Sequence, residues 1–341
     1  MNSTVIAVDL AKSVFEIAVS DRPGVVSERH RLSRGQFATF FANRPASTVL
    51  LEASGSSHDW ARRIGRFGHQ VLLIPPHLVR RYVNGNKTDR ADAKALLEAY
   101  RNAEIHFVPI KSEAHQAVTS LHRIRSGWMG TRTARMNETR GLLREFGHTL
   151  PIGAARFIER ASAVIGDLEN NLPQPLRSTL ELILAEVLEL ETRIDKVEKL
   201  IGAVARETPV VASLRTILGV GLLTSTYAWA SIVDAKRFPS GRHLAKSLGL
   251  TPTEHSSGNR RWLGHITKRG DRYLRTLLVH GGRSVLRAAK LKKNPSRLEA
   301  WALDREKAIG HNRAAVAVAN KLARFIWGVW TKGVDYQPQA A

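Results

Sequence analysis

Apolar and polar residues alternate in short blocks through the first third of the chain. The segments Thr4–Ala11 and Val14–Asp21 are apolar and rich in β-branched residues, and only a Lys-Ser turn separates them. They predict an antiparallel hairpin that opens a sheet. Two helical segments and two buried-looking strands follow in alternation: GQFATFFANR, STVLLEAS, SHDWARRIGRFG and HQVLLIPP. This alternation favours an α/β domain, residues 1–110, whose sheet is covered on both faces.

The middle of the chain carries a heptad pattern, with apolar residues spaced alternately four and three apart. These seam positions are Leu176, Leu180, Ile183, Val187, Leu190, Ile194, Val197, Ile201 and Val204. They predict a coiled-coil arm at 159–208. An arginine-rich helical extension at 111–158 precedes it and either contacts nucleic acid or forms a solvated face. The arm itself is acidic, which favours a protein partner, either another protomer or a second helix of the same chain.

The last segment, residues 209–341, is predicted to be a mostly helical domain. Near its start, Gly219 and Gly221 bracket a turn between two helical runs. This turn is either an element like a helix-hairpin-helix, whose backbone amides approach a phosphate, or an ordinary turn. Further on, Trp301 falls on an apolar helical face and is expected in the core.

Composition narrows the choice of partner. The 341 residues include 52 Lys and Arg against 30 Asp and Glu, a formal charge of +22, which is typical of a protein that binds a polyanion. Nucleic acid is the first candidate. A membrane surface is the second, but no apolar run approaches the roughly 20 residues that span a bilayer and no signal-peptide pattern is present, so we expect an intracellular protein with no membrane partner. The absence of Cys excludes disulfides, thiolate zinc sites and cysteine nucleophiles.

Four carboxylates stand at positions that need a partner. Asp9 lies inside the first apolar strand and Glu52 ends another buried strand, where an unpaired charge is costly. Asp89 and Asp92 fall on one face of a predicted helix, where like charges repel unless a cation joins them. Alternatively, the acids stabilise the N-terminus of this helix. Thr88 or Asp89 can cap the helix, and acidic residues in its first turn offset the helix dipole. A cluster of all four acids favours a hard divalent cation.

The order of these acids resembles the RuvC-like branch of the ribonuclease H fold. In that branch an Asp in the first strand, a Glu at the end of a central strand and an Asp-x-x-Asp on a later helix hold Mg²⁺ for phosphodiester chemistry. The resemblance implies that Asp9, Glu52, Asp89 and Asp92 bind Mg²⁺ or Mn²⁺. Two-metal sites of this kind stabilise both the attacking and the leaving oxygen.

A second group of motifs lies in GLTPTEHSSGNRRWLGHITKRGDRYLR. Together with VIAVDLAKSVFEIAV, LLEASG and KTDRADAKAL, in this order along nearly the whole chain, it resembles the IS110/IS1111 family of transposases. The resemblance implies a DNA recombinase with a RuvC-like N-terminal domain and a C-terminal transposase domain that supplies a nucleophilic serine. That serine stands directly before a glycine, which makes it Ser257, with the adjacent Ser256 as the alternative. Asn259 replaces a glycine common in the family, and Asn also tolerates left-handed turns.

The same resemblance implies the partners. They are donor and target DNA, an element-encoded non-coding bridge RNA that reads sequence by base pairing, and further copies of the chain, which form a dimer and then a tetramer through the coiled coil. The expected location is the bacterial cytoplasm, in association with the nucleoid. A serine hydroxyl needs activation and a stabilised developing charge. The cations expected to contact phosphate are Lys87, Arg90, Arg260, Arg261, Lys268, Arg269, Arg272 and Arg275.

Two other functions are compatible with parts of this pattern. A metal-only, structure-specific nuclease of the Holliday-junction resolvase kind needs the four acids but not Ser257. A non-catalytic nucleic-acid-binding protein with a degenerate domain needs neither, and the presence of all four acids argues against it.

Overall fold

The computed structural model describes residues 4–23, 25–83 and 88–339. The chain divides into two compact units, residues 1–115 with 232–234, and residues 116–231 with 235–341. Within the described residues, no helix is both long enough and apolar enough to cross a bilayer.

The first unit contains one five-stranded sheet with helices on both faces. Its strands lie in the order β3-β2-β1-β4-β5, antiparallel from β3 to β1 and parallel from β1 to β5. The elements are β1 Val5–Leu10, β2 Val14–Ser20, β3 Glu28–Ser33, α1 Arg34–Ala42, β4 Thr48–Glu52, α2 Ser57–Arg66, β5 Gln70–Ile74, α3 Pro76–Val79 and α4 Asp89–Tyr100. The opening hairpin, the two further buried strands and the α/β class are therefore confirmed.

Alternation along the strands explains how both faces are buried. Side chains at successive positions point to opposite faces of a sheet. Val8 and Leu51 belong to one core cluster, which includes Trp60 of α2. Their neighbours Ala7 and Leu50 belong to the opposite cluster, which α4 covers. The central strands read as continuous apolar runs because each face packs against helices.

Strand β3 was not predicted, and its composition explains why. Four of its six residues are exposed, and only His30 and Leu32 are partly buried. It is the edge strand that pairs with β2. Charged side chains such as Arg29 and Arg31 are typical of exposed edges, where they discourage pairing with another chain.

Three helices form the first part of the second unit, which begins within α5. They are α5 Glu113–Glu145, α6 Ala154–Gly166 and α7 Gln174–Glu207. Three ion pairs join α5 to α7: Arg125 to Glu198 at 2.6 Å, Arg132 to Glu191 at 2.7 Å and Arg135 to Glu186 at 2.8 Å. The partner number falls as the arginine number rises, so the helices run antiparallel. At these positions the arginines of the basic extension pair with the acidic arm of the same chain.

The heptad seam of α7 is buried inside this chain. Leu180 and Val187 share a core cluster with Phe157 of α6 and Leu143 of α5, and Ile194 further along is 4% exposed. This burial favours packing within one chain, one of the two interpretations of the seam. The expected coiled-coil dimer stays a prediction.

The rest of the second unit is mostly helical, as predicted, with one small hairpin. Its elements are α8 Pro209–Arg215, α9 Leu222–Ile232, α10 Gly241–Ser247, β6 Pro252–Glu254, β7 Leu263–Ile266, α11 Arg272–Lys290, α12 Arg297–Ile309 and α13 His311–Lys332. Helices α11 and α13 approach closely at Gly282, where an added Cβ would lie 2.4 Å from the carbonyl oxygen of Ala315.

The turn before α9 needs Gly219 for packing. Its φ is +83°, and an added Cβ would lie 2.7 Å from Val285 and 2.8 Å from the carbonyl oxygen of Gly281 on α11. Such close approach excludes any side chain. The glycine is thus explained by contact with a helix, as in an ordinary turn.

Candidate active-site elements

Asp9, the second-last residue of β1, and Glu52, the last residue of β4, lie near the carboxyl ends of two adjacent parallel strands. Val8 pairs with Leu51 in the β1–β4 ladder, and the next residues along the two strands are Asp9 and Glu52. By alternation both carboxylates lie on the sheet face that α4 covers. Both residues are only partly buried. Two acids are therefore brought side by side at the carboxyl edge of the central strands.

Helix α4 brings its first turn to the same face. Thr88 caps the helix, because its Oγ1 accepts a hydrogen bond from the backbone N–H of Ala91 at 3.2 Å. Asp89 and Asp92 follow in the first turn, Asp89 exposed and Asp92 half-buried. Since Thr88 performs the capping, neither aspartate is needed for it.

A fifth acid, Glu16, lies on this face and was missed from sequence. It is the β2 residue directly opposite Asp9 in the antiparallel ladder, and it is 9% exposed. Its Oε1 lies 3.5 Å from Nε of Arg90, in the first turn of α4. The signal was present in the sequence, because Glu16 interrupts an apolar strand just as Asp9 does.

The donor chemistry of this face suits a hard divalent cation, because every candidate ligand is a carboxylate. Within the described residues, however, no three Asp, Glu or His side chains are close enough to hold a metal ion together. The acids thus share one face at the edge of the sheet, but the described ones do not form a complete set of metal ligands in this arrangement. Lys87, which precedes α4, lies outside the described residues.

Ser257 occupies the tip of the β6–β7 hairpin. Ser257 and Arg260 exchange backbone hydrogen bonds, at 3.3 Å from Ser257 N to Arg260 O and 3.2 Å in return. Between them, Gly258 has a φ of +56°, which glycine adopts without steric cost. The left-handed position is thus Gly258 itself, and Asn259 does not need that conformation.

The two neighbouring serines differ in their hydrogen bonds. Ser256 Oγ donates to Glu254 Oε1 at 2.9 Å and accepts from the backbone N–H of Trp262 at 3.2 Å. Arg261 also donates to Glu254, at 3.1 Å. The hydrogen bond from Ser256, and then the charge and the hydrogen bond of Arg261, hold the pKa of Glu254 below its usual value. Within the described chain, the exposed hydroxyl of Ser257 has no such partner.

The predicted phosphate contacts around this hairpin fall into two groups. Arg261 pairs with Glu254, and Arg275 donates to the carbonyl oxygens of Leu248 at 3.0 Å and Arg269 at 2.8 Å. These two guanidinium groups support the protein's own structure. The exposed members without a carboxylate partner in the described residues are Arg260, Lys268, Arg269 and Arg272.

A buried polar network supports the start of α11, and sequence reasoning missed it. His122 lies 3.0 Å from the hydroxyl of Thr226 and 3.3 Å from that of Tyr273. Tyr227 donates to the capping residue Asp271 at 2.9 Å. Burial, and then the charge of Arg125, lowers the pKa of His122 to about 4, while burial raises that of Tyr227.

Comparison with known proteins identifies the family. A model of DEDD-type IS110 transposases, described as "Transposase", matches residues 6–148, and one described as "Transposase IS116/IS110/IS902 family" matches residues 211–297. A "Probable family 20 transposase" of Pseudomonas aeruginosa is 41% identical over 340 residues, 99% of this chain and 100% of that protein.

Two other relatives are named for their insertion sequences, and a solved resolvase structure aligns with part of the chain. The transposase for IS1111A of Coxiella burnetii is 37% identical, covering 98% of this chain and 91% of its own. The transposase for IS1328 of Yersinia enterocolitica is 35% identical, covering 98% and 99%. The solved structure "T. thermophilus RuvC in complex with Holliday junction substrate" aligns to 31% of this chain and 99% of its own, with 11% identity and a TM-score of 0.24, too low to support a fold assignment. From the family models and the full-length relatives, the chain belongs to the IS110/IS1111 family and is a transposase.

Proposed function

We propose that this transposase cuts and joins DNA through a covalent bond between Ser257 and a DNA phosphate. The observation that supports Ser257 is its exposed hydroxyl at the hairpin tip, with no protein partner in the described chain, beside a serine whose hydroxyl is bonded on both sides. The Ser257 hydroxyl can approach a phosphate without giving up an internal hydrogen bond, whereas that of Ser256 is held by Glu254 and the backbone of Trp262.

The proposed reaction has two steps. Ser257 Oγ loses its proton and attacks phosphorus, so that an O–P bond to the serine forms as the bond to the leaving deoxyribose oxygen breaks and that oxygen takes up a proton. A DNA hydroxyl then attacks the phosphoserine, restores a phosphodiester and releases Ser257. Arg260 and Arg269, both exposed and without a carboxylate partner in the described chain, would stabilise the charge that develops on phosphate oxygens.

We propose a ribonuclease H-like first unit of the RuvC type, in which four acids serve this reaction. Asp9, Glu52, Asp89 and Asp92 would hold Mg²⁺ or Mn²⁺. Such an ion, when bound, supplies Lewis-acid stabilisation of phosphate oxygens. Support comes from the aligned ends of β1 and β4, from the first turn of α4 on the same sheet face, and from all-carboxylate donors.

Donor and target DNA are the proposed substrates, and a bridge RNA the proposed guide. The charge of +22 supports a polyanionic partner. If the RNA selects the DNA sites by base pairing, the protein needs only to hold the nucleic-acid backbone. Cations such as Arg272 would make those phosphate contacts. Association into dimers and tetramers is proposed as well.

A trapping experiment tests the proposal. The protein is mixed with the element's RNA, labelled donor or target DNA and Mg²⁺, then denatured and separated to detect DNA that migrates with protein. We expect an adduct with wild type and with Ser256→Ala, and none with Ser257→Ala or Asp92→Asn. Free cleaved DNA that is independent of Ser257 would replace this mechanism with that of a metal-only nuclease.

A further inference from the structure

A cleft beside the serine hairpin lies between β7 and helices α12 and α13. It encloses about 1060 Å³, and its walls include Ile266 of β7, Trp301 of α12 and Val316 of α13. All of these elements belong to the second unit. The family match in this half of the chain ends at residue 297, so α13 and all of α12 after its first residue lie beyond it. No role has yet been assigned to the cleft.

The charges of the cleft have one sign. Its ionisable lining residues are His265, Lys268, Arg313, Lys321 and Arg324. Among these described lining residues there is no Asp or Glu, and none of the five forms an ion pair with a carboxylate elsewhere in the described chain. A concave surface lined by unpaired cations concentrates the field and attracts anions.

An aromatic plane lies within this basic cleft. Trp301 is half-buried, and the ammonium of Lys321 lies 3.7 Å from the centre of its ring. Burial and then the charges of Arg324, Arg297 and Arg305 lower the pKa of Lys321, because a cation crowded by cations is destabilised. Trp301 was expected to be a core residue, yet it forms part of an open wall.

The backbone of Lys268 is held in an unfavourable conformation. Its φ is +54°, a left-handed conformation that is unfavourable for a side chain with Cβ. Backbone bonds hold it there: Lys268 N donates to Gly249 O at 3.2 Å, and Thr267 N donates to Thr251 O at 2.9 Å. Strain maintained by surrounding structure is concentrated at ligand-binding sites.

We propose that the cleft binds an unpaired stretch of a DNA strand, with a base stacked on Trp301 and its phosphates against the surrounding cations. Single-stranded nucleic acid is recognised by this combination of aromatic planes and a basic groove, and a space of this size fits one or two nucleotides. DNA is favoured because β7, which lines the cleft, is the strand of the Ser257 hairpin. That choice of DNA rests on the proposed function.

Photocrosslinking tests the site directly, using full-length Ser257→Ala protein so that no covalent chemistry intervenes. The probe is a 12-nucleotide single-stranded DNA with one 5-iododeoxyuridine, and mass spectrometry identifies the crosslinked peptide. We expect crosslinks at Trp301. The same sequence as a duplex should give few, because its bases are stacked inside the helix.

Fluorescence anisotropy then compares how tightly matched variants bind the single-stranded DNA. Trp301→Leu should weaken single-strand binding about tenfold, the effect of losing one stacked base, while Trp301→Phe should retain most of it. Lys321→Gln should reduce the salt slope by about 0.7, as expected for one lost phosphate contact. As a control, Lys293→Gln removes an equal charge from an exposed position outside the cleft. It should change neither the affinity for single-stranded DNA nor the salt slope.

The outcomes are separable from those of the trapping assay. Crosslinks found only on other peptides, or a Trp301→Leu protein that folds and binds as tightly as the Trp301→Phe protein, would overturn the proposal. Crosslinking of Trp301 to an RNA probe but not to DNA would overturn the assignment to DNA. If wild-type protein forms no serine adduct in the trapping assay while Trp301 still crosslinks, the proposed mechanism fails and the cleft assignment stands.

Discussion

Arg90 and Glu16 form an ion pair, with Arg90 Nε 3.5 Å from Glu16 Oε1. Glu16 is nearly buried on β2 opposite Asp9, and Arg90 stands between the two aspartates of the first turn of α4. The pair therefore ties the end of the helix to the strand beside Asp9. The Arg90 side chain is 74% exposed, so its expected contact with phosphate stays a prediction beside this ion pair.

A double-mutant cycle tests this link. Arg90→Gln leaves the Glu16 carboxylate without its cation in a nearly buried place, which we expect to cost about 1 kcal/mol of unfolding free energy, since Arg90 itself is largely solvated. Glu16→Gln should remove that penalty, so the double variant is more stable than the sum of single effects predicts. Urea denaturation measures all four proteins, and strictly additive effects would show that the two residues do not interact.

In the first turn of α4, the capping residue Thr88 should affect stability, whereas Asp92 should affect DNA cleavage. Thr88→Ala removes the hydrogen bond to Ala91 and should cost about 1 kcal/mol of stability. Asp92→Asn should change stability by less than about 1 kcal/mol yet abolish strand cleavage. Denaturation and a cleavage assay on the same preparations check both effects. The proposed role of Asp92 fails if its variant cleaves DNA normally, or if activity falls only in proportion to lost stability.

The α7 seam predicts how the protein responds to a core truncation. Ile194→Ala should cost about 2–4 kcal/mol, and the loss should be independent of protein concentration because the packing lies within one chain. Leu182→Ala, on an exposed position of the same helix, serves as the control and should change little. If instead the loss disappears at high protein concentration, the seam contacts another protomer.

Acidification should destabilise the second unit through His122. Its pKa is about 4 when folded against about 6.5 unfolded, so the unfolded chain binds more protons in this range. The stabilisation is fully present above pH 6.5 and is lost as pH falls towards 4, by about 2 kcal/mol between pH 7 and pH 5. His122→Gln should flatten this slope in urea denaturation at the two pH values. An unchanged slope would mean that His122 titrates normally.

The parts of the fold that sequence predicted well were those with a strong local pattern. The strands that carry Asp9 and Glu52 are otherwise continuous apolar runs, and both are present. Strand β3 and the β6–β7 hairpin were not predicted because they are short and polar. Backbone pairing rather than side-chain burial defines them.

Features that depend on distant residues were harder to predict. The ion pairs between α5 and α7 join residues such as Arg125 and Glu198, which are far apart in sequence, and periodicity alone could not say which helix covers the seam. Trp301 was misplaced for the same reason, because the β7 strand that forms the facing wall of its cleft was not foreseen. The proposed preference for Ser257 over Ser256 likewise rests on a tertiary contact, the hydrogen bond from Ser256 to Glu254.

Mass spectrometry of the trapped adduct tests the central claim most directly. The adduct formed by wild-type protein on DNA is digested with nuclease and protease, and fragmentation locates the residual phosphonucleotide on the hairpin peptide. We predict that it is attached to Oγ of Ser257. Attachment to Ser256, or to any residue outside this hairpin, would contradict the account.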